Sequence, residues 1–146
     1  MNVLFVCNGN VARSQIAETM LNHLSDHQAT SAGTAVRYLG FEGQTLGTRA
    51  EHPESGLAAK MVLELMQGKG FDLSHNTRNQ VTPAMVDVAD RIIVMLGDIP
   101  PEDFLAQSDK MEVWDVTDPI HAPRESTAII LDEVTALVQT LVREIG

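Results

Sequence analysis

The stretch from Asn2 to Ser14 constrains this chain more than any other. Asn2-Val3-Leu4-Phe5-Val6 is a short apolar run, the pattern of a strand buried on both faces. The run breaks at Cys7-Asn8-Gly9-Asn10, and then Ile16, Ala17, Met20, Leu21 and Leu24 recur at helical spacing. A strand buried on both faces needs helices above and below its sheet. The expectation is therefore an α/β fold with a mostly parallel sheet.

The rest of the chain keeps that alternation. Thr30-Ser31-Ala32-Gly33 reads as a second strand ending on a glycine. Residues 34–55, rich in Gly, Thr and Glu, read as a long loop and a candidate site rim. Leu57, Ala58, Met61, Val62, Leu65 and Met66 form a helical stripe stopped by Gly68 and Gly70. Thr82-Pro83 is a helix start, with Thr as cap and Pro in the first turn. Arg91 to Leu96 is the clearest central strand, Pro100-Pro101 opens a short helix through Phe104 and Leu105, and Met111 to Trp114 reads as a fourth strand. Ile130, Val134, Leu137, Val138, Leu141 and Ile145 fall on one face of a last helix. The 146 residues make one domain, 1–146, with four strands and helices between them.

Charge and cysteine usage narrow the function. The net charge of −10 makes the chain a poor partner for nucleic acid or anionic lipid. Any anion site must therefore be positive locally, against the overall field. No apolar run is long enough to span a bilayer. Met1 to Val6 has no basic flank and no small-residue cleavage site, so the expected location is the cytoplasm. The single cysteine excludes an intrachain disulfide and a cysteine metal cluster. His23 and His27 have the spacing of a zinc pair but no obvious third ligand, and read as a solvated face.

In open α/β sheets, ligands bind beyond the carboxyl ends of strands. A helix N-terminus there offers unpaired N–H groups and a positive dipole end. Cys7-Asn8-Gly9-Asn10-Val11-Ala12-Arg13-Ser14 sits at such a junction, where successive N–H groups can form an anion nest. Thiols at helix N-termini are held as thiolates near neutral pH, and a thiolate is a nucleophile of covalent catalysis. Six residues on, Arg13 offers a planar fork for two phosphate oxygens. Ser14 can donate a hydroxyl bond to the sulfur, and Gly9 can take positive φ where the loop folds over the anion. Asn8, Gly9, Asn10, Val11, Ala12 and Ser14 are thus candidate substrate-binding positions around Cys7 and Arg13. The plain alternative is a small buried cysteine closing a strand, with the arginine on a helix surface. A leaving group also needs a proton donor. Asp118, in Trp114-Asp115-Val116-Thr117-Asp118-Pro119, follows the last strand and so lies on the same sheet edge as Cys7. Asp115 is its rival, and an Asp-Pro turn without chemistry is the third reading.

The run Val3 to Ser14, followed by Ala17-Glu18, resembles the low-molecular-weight protein tyrosine phosphatase family. The resemblance continues through Ser31-Ala32-Gly33-Thr34, Asp72-Leu73-Ser74-His75, Ala89 to Met95 and Asp118-Pro119, essentially the whole chain. It implies a phosphatase I-like, three-layer α/β fold: a four-stranded parallel sheet flanked by helices on both faces. It implies a phosphocysteine intermediate on Cys7, phosphate binding by Arg13, and Asp118 as general acid and then base. It also implies a polar network holding the loop, at Asn10, Ser14, Ser31 and His75. The implied ligands are phosphate esters, phosphotyrosyl proteins among them, and oxyanions such as phosphate or sulfate, with no metal and no organic cofactor.

The chain departs from the family pattern in places. The loop usually carries a second cysteine just before the arginine, where this chain has Ala12. Many members place a tyrosine after Asp-Pro as an aromatic wall; here Ile120-His121 follows, and Tyr38 or Phe41 could supply a wall instead. The run Glu112 to Pro119 is close to that of arsenate reductases of the same fold. Their thioredoxin-coupled members use two further cysteines; this chain has none, with Gly97 near where one is expected. A reductase here would need an external thiol. A phosphate-binding module without turnover is the remaining reading, but it would need neither Cys7 nor Asp118. With no second cysteine to trap a sulfenic acid as a disulfide, peroxide is expected to drive Cys7 to irreversible oxidation unless an external thiol intervenes. Activity assayed after peroxide treatment and removal of all small thiols checks this, and full recovery would refute it.

Overall fold

β1 (Asn2–Cys7) lies between β2 (Gln28–Gly33) and β3 (Arg91–Val94), with β4 (Met111–Val113) beyond β3, in a four-stranded sheet of order β2-β1-β3-β4. Every pairing is parallel. The computed structural model describes residues 1–53, 56–118 and 124–146. Pro119, Ile120 and His121, read above as a departure from the family pattern, lie outside the described residues.

The two-residue period of β1 sends its side chains to two separate cores. Val3, Phe5 and Cys7 join Ile93 and Met95 on one face. There they meet α1 (Arg13–Leu24), α3 (Leu57–Gly68) and α6 (Arg124–Ile145), through Ile16 and Leu21, Val62 and Met66, and Leu131, Val134 and Val138. Leu4 and Val6 join Ile92 and Val94 on the opposite face, under Val86 of α4 (Pro83–Val88) and Leu105 of α5 (Asp103–Ala106). Both faces of the strand are buried, as its unbroken apolar sequence requires. The result is the three-layer α/β fold expected from the sequence. Among the described residues, no helix is long and apolar enough to cross a membrane.

Several expected boundaries move. The segment 34–55 is not all loop. Thr45 accepts a bond from the Thr48 N–H and caps a short helix, α2 (Leu46–Ala50), whose Leu46 is fully buried in the larger core. β2 starts earlier than expected, at Gln28, and β3 stops at Val94 although Met95 and Leu96 remain buried beyond it. Apolar periodicity reports burial, and burial outruns the hydrogen-bonded ladder here. Thr82 does cap α4, accepting from the Met85 N–H at 3.4 Å. Trp114 packs its ring 5.8 Å from that of Phe5, against the core.

In the parallel register, Cys7 ends β1 opposite Gly33. Past this point the chain approaches itself closely. A Cβ on Gly33 would stand 2.5 Å from Asn8 O and 2.9 Å from Asn10 N. Both are backbone atoms and cannot move aside cheaply. Gly33→Ala is expected to destabilise the fold by ~2–3 kcal/mol. Urea unfolding checks this, and a loss below about 0.5 kcal/mol would mean that the loop re-seats without cost.

Candidate active site

The sulfur of Cys7 leaves β1 where the strand gives way to the loop 8–12, and α1 begins at Arg13. Ala12 stands at the N-cap and makes no side-chain cap bond. The first-turn N–H groups of α1 have no cap side chain to donate to, so an anion in the loop can take that place. A cavity of about 180 Å³ opens at this junction. Cys7, Asn8, Gly9, Val11 and Ala12 form its loop side. Arg13 and Asp118 line it too, with Ala35, Leu39, Phe41 and Ala58 as an apolar wall and Arg49 and Arg78 as further cations.

The loop is held from behind by Asn10, the one non-glycine residue at positive φ (54°) among the described residues. Its Nδ2 donates to Ser14 Oγ at 2.8 Å and to Ser31 Oγ at 3.0 Å. Its Oδ1 accepts from the Asn79 N–H at 2.8 Å and from Gln15 Nε2 at 3.3 Å. Ser14 Oγ lies 2.9 Å from Cys7 Sγ. Because Ser14 already accepts from Asn10, its own proton is available to the sulfur. Ser31 Oγ in turn donates to Glu18 Oε2 at 3.2 Å. Burial raises the Glu18 carboxyl above its ordinary range, against the lowering effect of the Ser31 bond.

Arg13 is 4% exposed and held in one orientation. Nη1 donates to Val116 O at 3.2 Å, and Nη2 lies 3.3 Å from Asp118 Oδ2. Arg78 is equally buried. It donates from Nε to Gly9 O at 2.9 Å and from Nη1 to Gln44 Oε1 at 2.8 Å, with Phe41 stacked 4.5 Å away. The cavity thus brings a thiol, an oriented guanidinium and a carboxyl together. Such a trio can supply a nucleophile, an oxyanion clamp and a proton carrier.

The structure gathers most of the sequence-predicted positions and separates a few. Asn8, Gly9, Val11 and Ala12 line the cavity beside Cys7, Arg13 and Asp118. Asn10, Ser14 and Ser31 are buried and joined by the bonds above. His75 is exposed and outside that network; Gln15, Glu18 and Asn79 stand in it instead. Positive φ falls on Asn10 rather than Gly9, because the bonds to the Asn10 amide hold it in the left-handed region that Asn tolerates. Asp115 is exposed and does not line the cavity, whereas Asp118 does. Phe41 lines the wall, while Tyr38 is 76% exposed and lines a separate groove. Sequence reasoning missed Arg78 and Arg49. Neither sits in a periodic element pointing at the loop, and only the facing strand end at Cys7 could have drawn attention to them.

The low molecular weight phosphotyrosine protein phosphatase family matches residues 2–146. The chain is 26% identical over 139 residues to arsenate reductase 2 of Staphylococcus epidermidis, covering 94% of this chain and 93% of that one. Among solved structures, a low molecular weight protein tyrosine phosphatase from T. tengcongensis superposes with a TM-score of 0.74 at 25% identity, covering 99% of both chains. YwlE arginine phosphatase from Geobacillus stearothermophilus gives a TM-score of 0.77 at 23% identity, covering 99% of this chain and 92% of that one.

The raised Glu18 carboxyl has a consequence for stability. Between its unfolded and folded pKa values, the folded state holds a proton that the unfolded state has lost, so stability falls as pH rises through that window. Glu18→Gln removes this loss. Its stability relative to the wild type is expected to rise as pH climbs above the ordinary glutamate range, from about pH 4 upward. Urea unfolding of both proteins from acid to neutral pH measures the difference, and a flat difference would show that the half-buried carboxyl is not perturbed in the folded state.

Proposed function

The chain belongs to the low molecular weight phosphotyrosine protein phosphatase family, and from that premise we propose that it hydrolyses phosphate monoesters in two displacements on Cys7. The observation that carries this reading is the convergence of Cys7, Arg13 and Asp118 on one cavity. Arg13 and the loop N–H groups bind the three phosphoryl oxygens. The Cys7 thiolate attacks phosphorus, and the P–O bond to the leaving group breaks. Asp118 gives its proton to the departing oxygen, where a carboxyl within reach is worth about 10²–10⁴ in rate. A water then attacks the phosphocysteine, Asp118 takes its proton, and the S–P bond breaks to free phosphate and thiolate. The apolar wall of Leu39, Phe41 and Ala58 suits an aryl group, which supports protein phosphotyrosine as the substrate class.

A second reading has one observation in its favour, the similarity to an arsenate reductase over nearly the whole chain. Cys7 would then attack arsenate, and an external thiol would resolve the adduct. A lone thiolate beside a proton carrier is sufficient for hydrolysis, so we favour the phosphatase.

Hydrolysis of para-nitrophenyl phosphate near pH 6 without added metal tests the proposal. Cys7→Ser is expected to abolish turnover and retain phosphate binding. Asp118→Asn is expected to slow esters of poor leaving groups by ~10²-fold or more, and good ones far less. Equal loss across leaving groups would assign the proton to another acid. No turnover by the wild type, followed by arsenate reduction with an added small thiol, would favour the second reading.

A further inference from the structure

Among the described residues, two basic side chains are buried, Arg13 and Arg78. Arg13 has a carboxylate partner in Asp118. Arg78 has none: its Nε and Nη1 donate to neutral oxygens, on Gly9 and Gln44. Phe41 covers the guanidinium, with its centroid 4.5 Å from the central carbon. The remaining terminal nitrogen, Nη2, lies at the rim of the loop, 3.4 Å from where a Cβ on residue 9 would stand. Gly9 and Arg78 both line the cavity there. A buried charge without a counter-ion is costly. The cost is visible here, since the Arg78 pKa is pushed down to about 10, first by burial and then by repulsion from Arg49, with Cys7 acting in the opposite direction. The chain has twenty acidic residues and sets none of those described against this guanidinium.

We propose that the counter-ion of Arg78 is the anion of the cavity itself. That anion is the Cys7 thiolate when the cavity is empty and the phosphoryl group when it is occupied. Arg78 is then a second cationic binding residue beside Arg13, and its bond to Gly9 O also keeps that carbonyl turned from the bound anion. The part about phosphoryl binding rests on the phosphatase reading; the part about charge at Cys7 does not. A purely structural role, bracing the loop through Gly9 O, is the alternative to be separated.

The rates at which iodoacetate and iodoacetamide alkylate Cys7 separate them. The two reagents differ in charge, so the ratio of their rates reports the local potential, and the thiolate fraction cancels. Arg78→Gln is expected to lower the ratio by ~5-fold. It is also expected to weaken protection of Cys7 by inorganic phosphate by ~10-fold. Arg78→Lys, which keeps the charge and loses the fork, is expected to stay within about twofold of the wild-type ratio. A folded Arg78→Gln with an unchanged ratio overturns the proposal in favour of the brace. Should that variant not fold, Arg78→Lys decides: a fivefold fall in its ratio overturns the proposal, and a near-wild-type ratio supports it. Failure of the wild type to hydrolyse para-nitrophenyl phosphate would defeat the phosphatase reading alone, because the alkylation ratio needs no turnover.

Discussion

The site depends on the side-chain amide of Asn10. A non-glycine residue in the left-handed region costs on the order of 1–2 kcal/mol. Here that cost is offset by bonds to Ser14, Ser31, Gln15 and Asn79, all made by one buried residue. Those partners come from α1, from β2 and from the segment before α4. The curvature of the loop is therefore set by the adjoining helix and by two distant parts of the chain at once. A loop fixed before its ligand arrives loses little entropy when the ligand binds, which is the condition for strong electrostatic stabilisation of a transient anion.

The same arrangement answers the charge problem of an acidic protein. With a net charge of −10, the average surface repels a phosphate ester. Three of the ten basic residues, Arg13, Arg49 and Arg78, nevertheless line one cavity whose acidic lining among the described residues is Asp118. Elsewhere, Arg37 is matched to Glu42 and Arg91 to Glu112. Attraction is thus local and short-ranged, and weak binding away from the cavity is discouraged.

Much of this was legible in the sequence because the residues proposed to react lie on the local signal. Cys7 closes an apolar strand and Arg13 opens a helix, so periodicity alone put them at a strand–helix junction. Asp118 was placed by the end of the last strand, whereas Ser31 entered through likeness to the family pattern. Arg78 was not legible. It sits in the irregular stretch between α3 and α4, where no period reveals direction, and its partner Gly9 is sixty-nine residues away. The short helix α2 was hidden for a related reason: five residues are too few to show a helical stripe, and only the Thr45 cap announces it. His75 was read by likeness to a family pattern, and likeness of residue types does not fix where a side chain on an irregular segment goes.

The packing of α6 on α1 has a kinetic meaning. α1 carries the base of the anion loop, yet the helix that covers it is translated roughly a hundred residues later. Until α6 emerges from the ribosome, the face of α1 that carries Ile16 and Leu21 is only partly covered. Folding of this centre is therefore a late event dominated by sequence-distant contacts, which slows it. A partly made chain holds its cysteine on an unformed scaffold, so catalytic competence arrives with the final helix rather than growing gradually during synthesis.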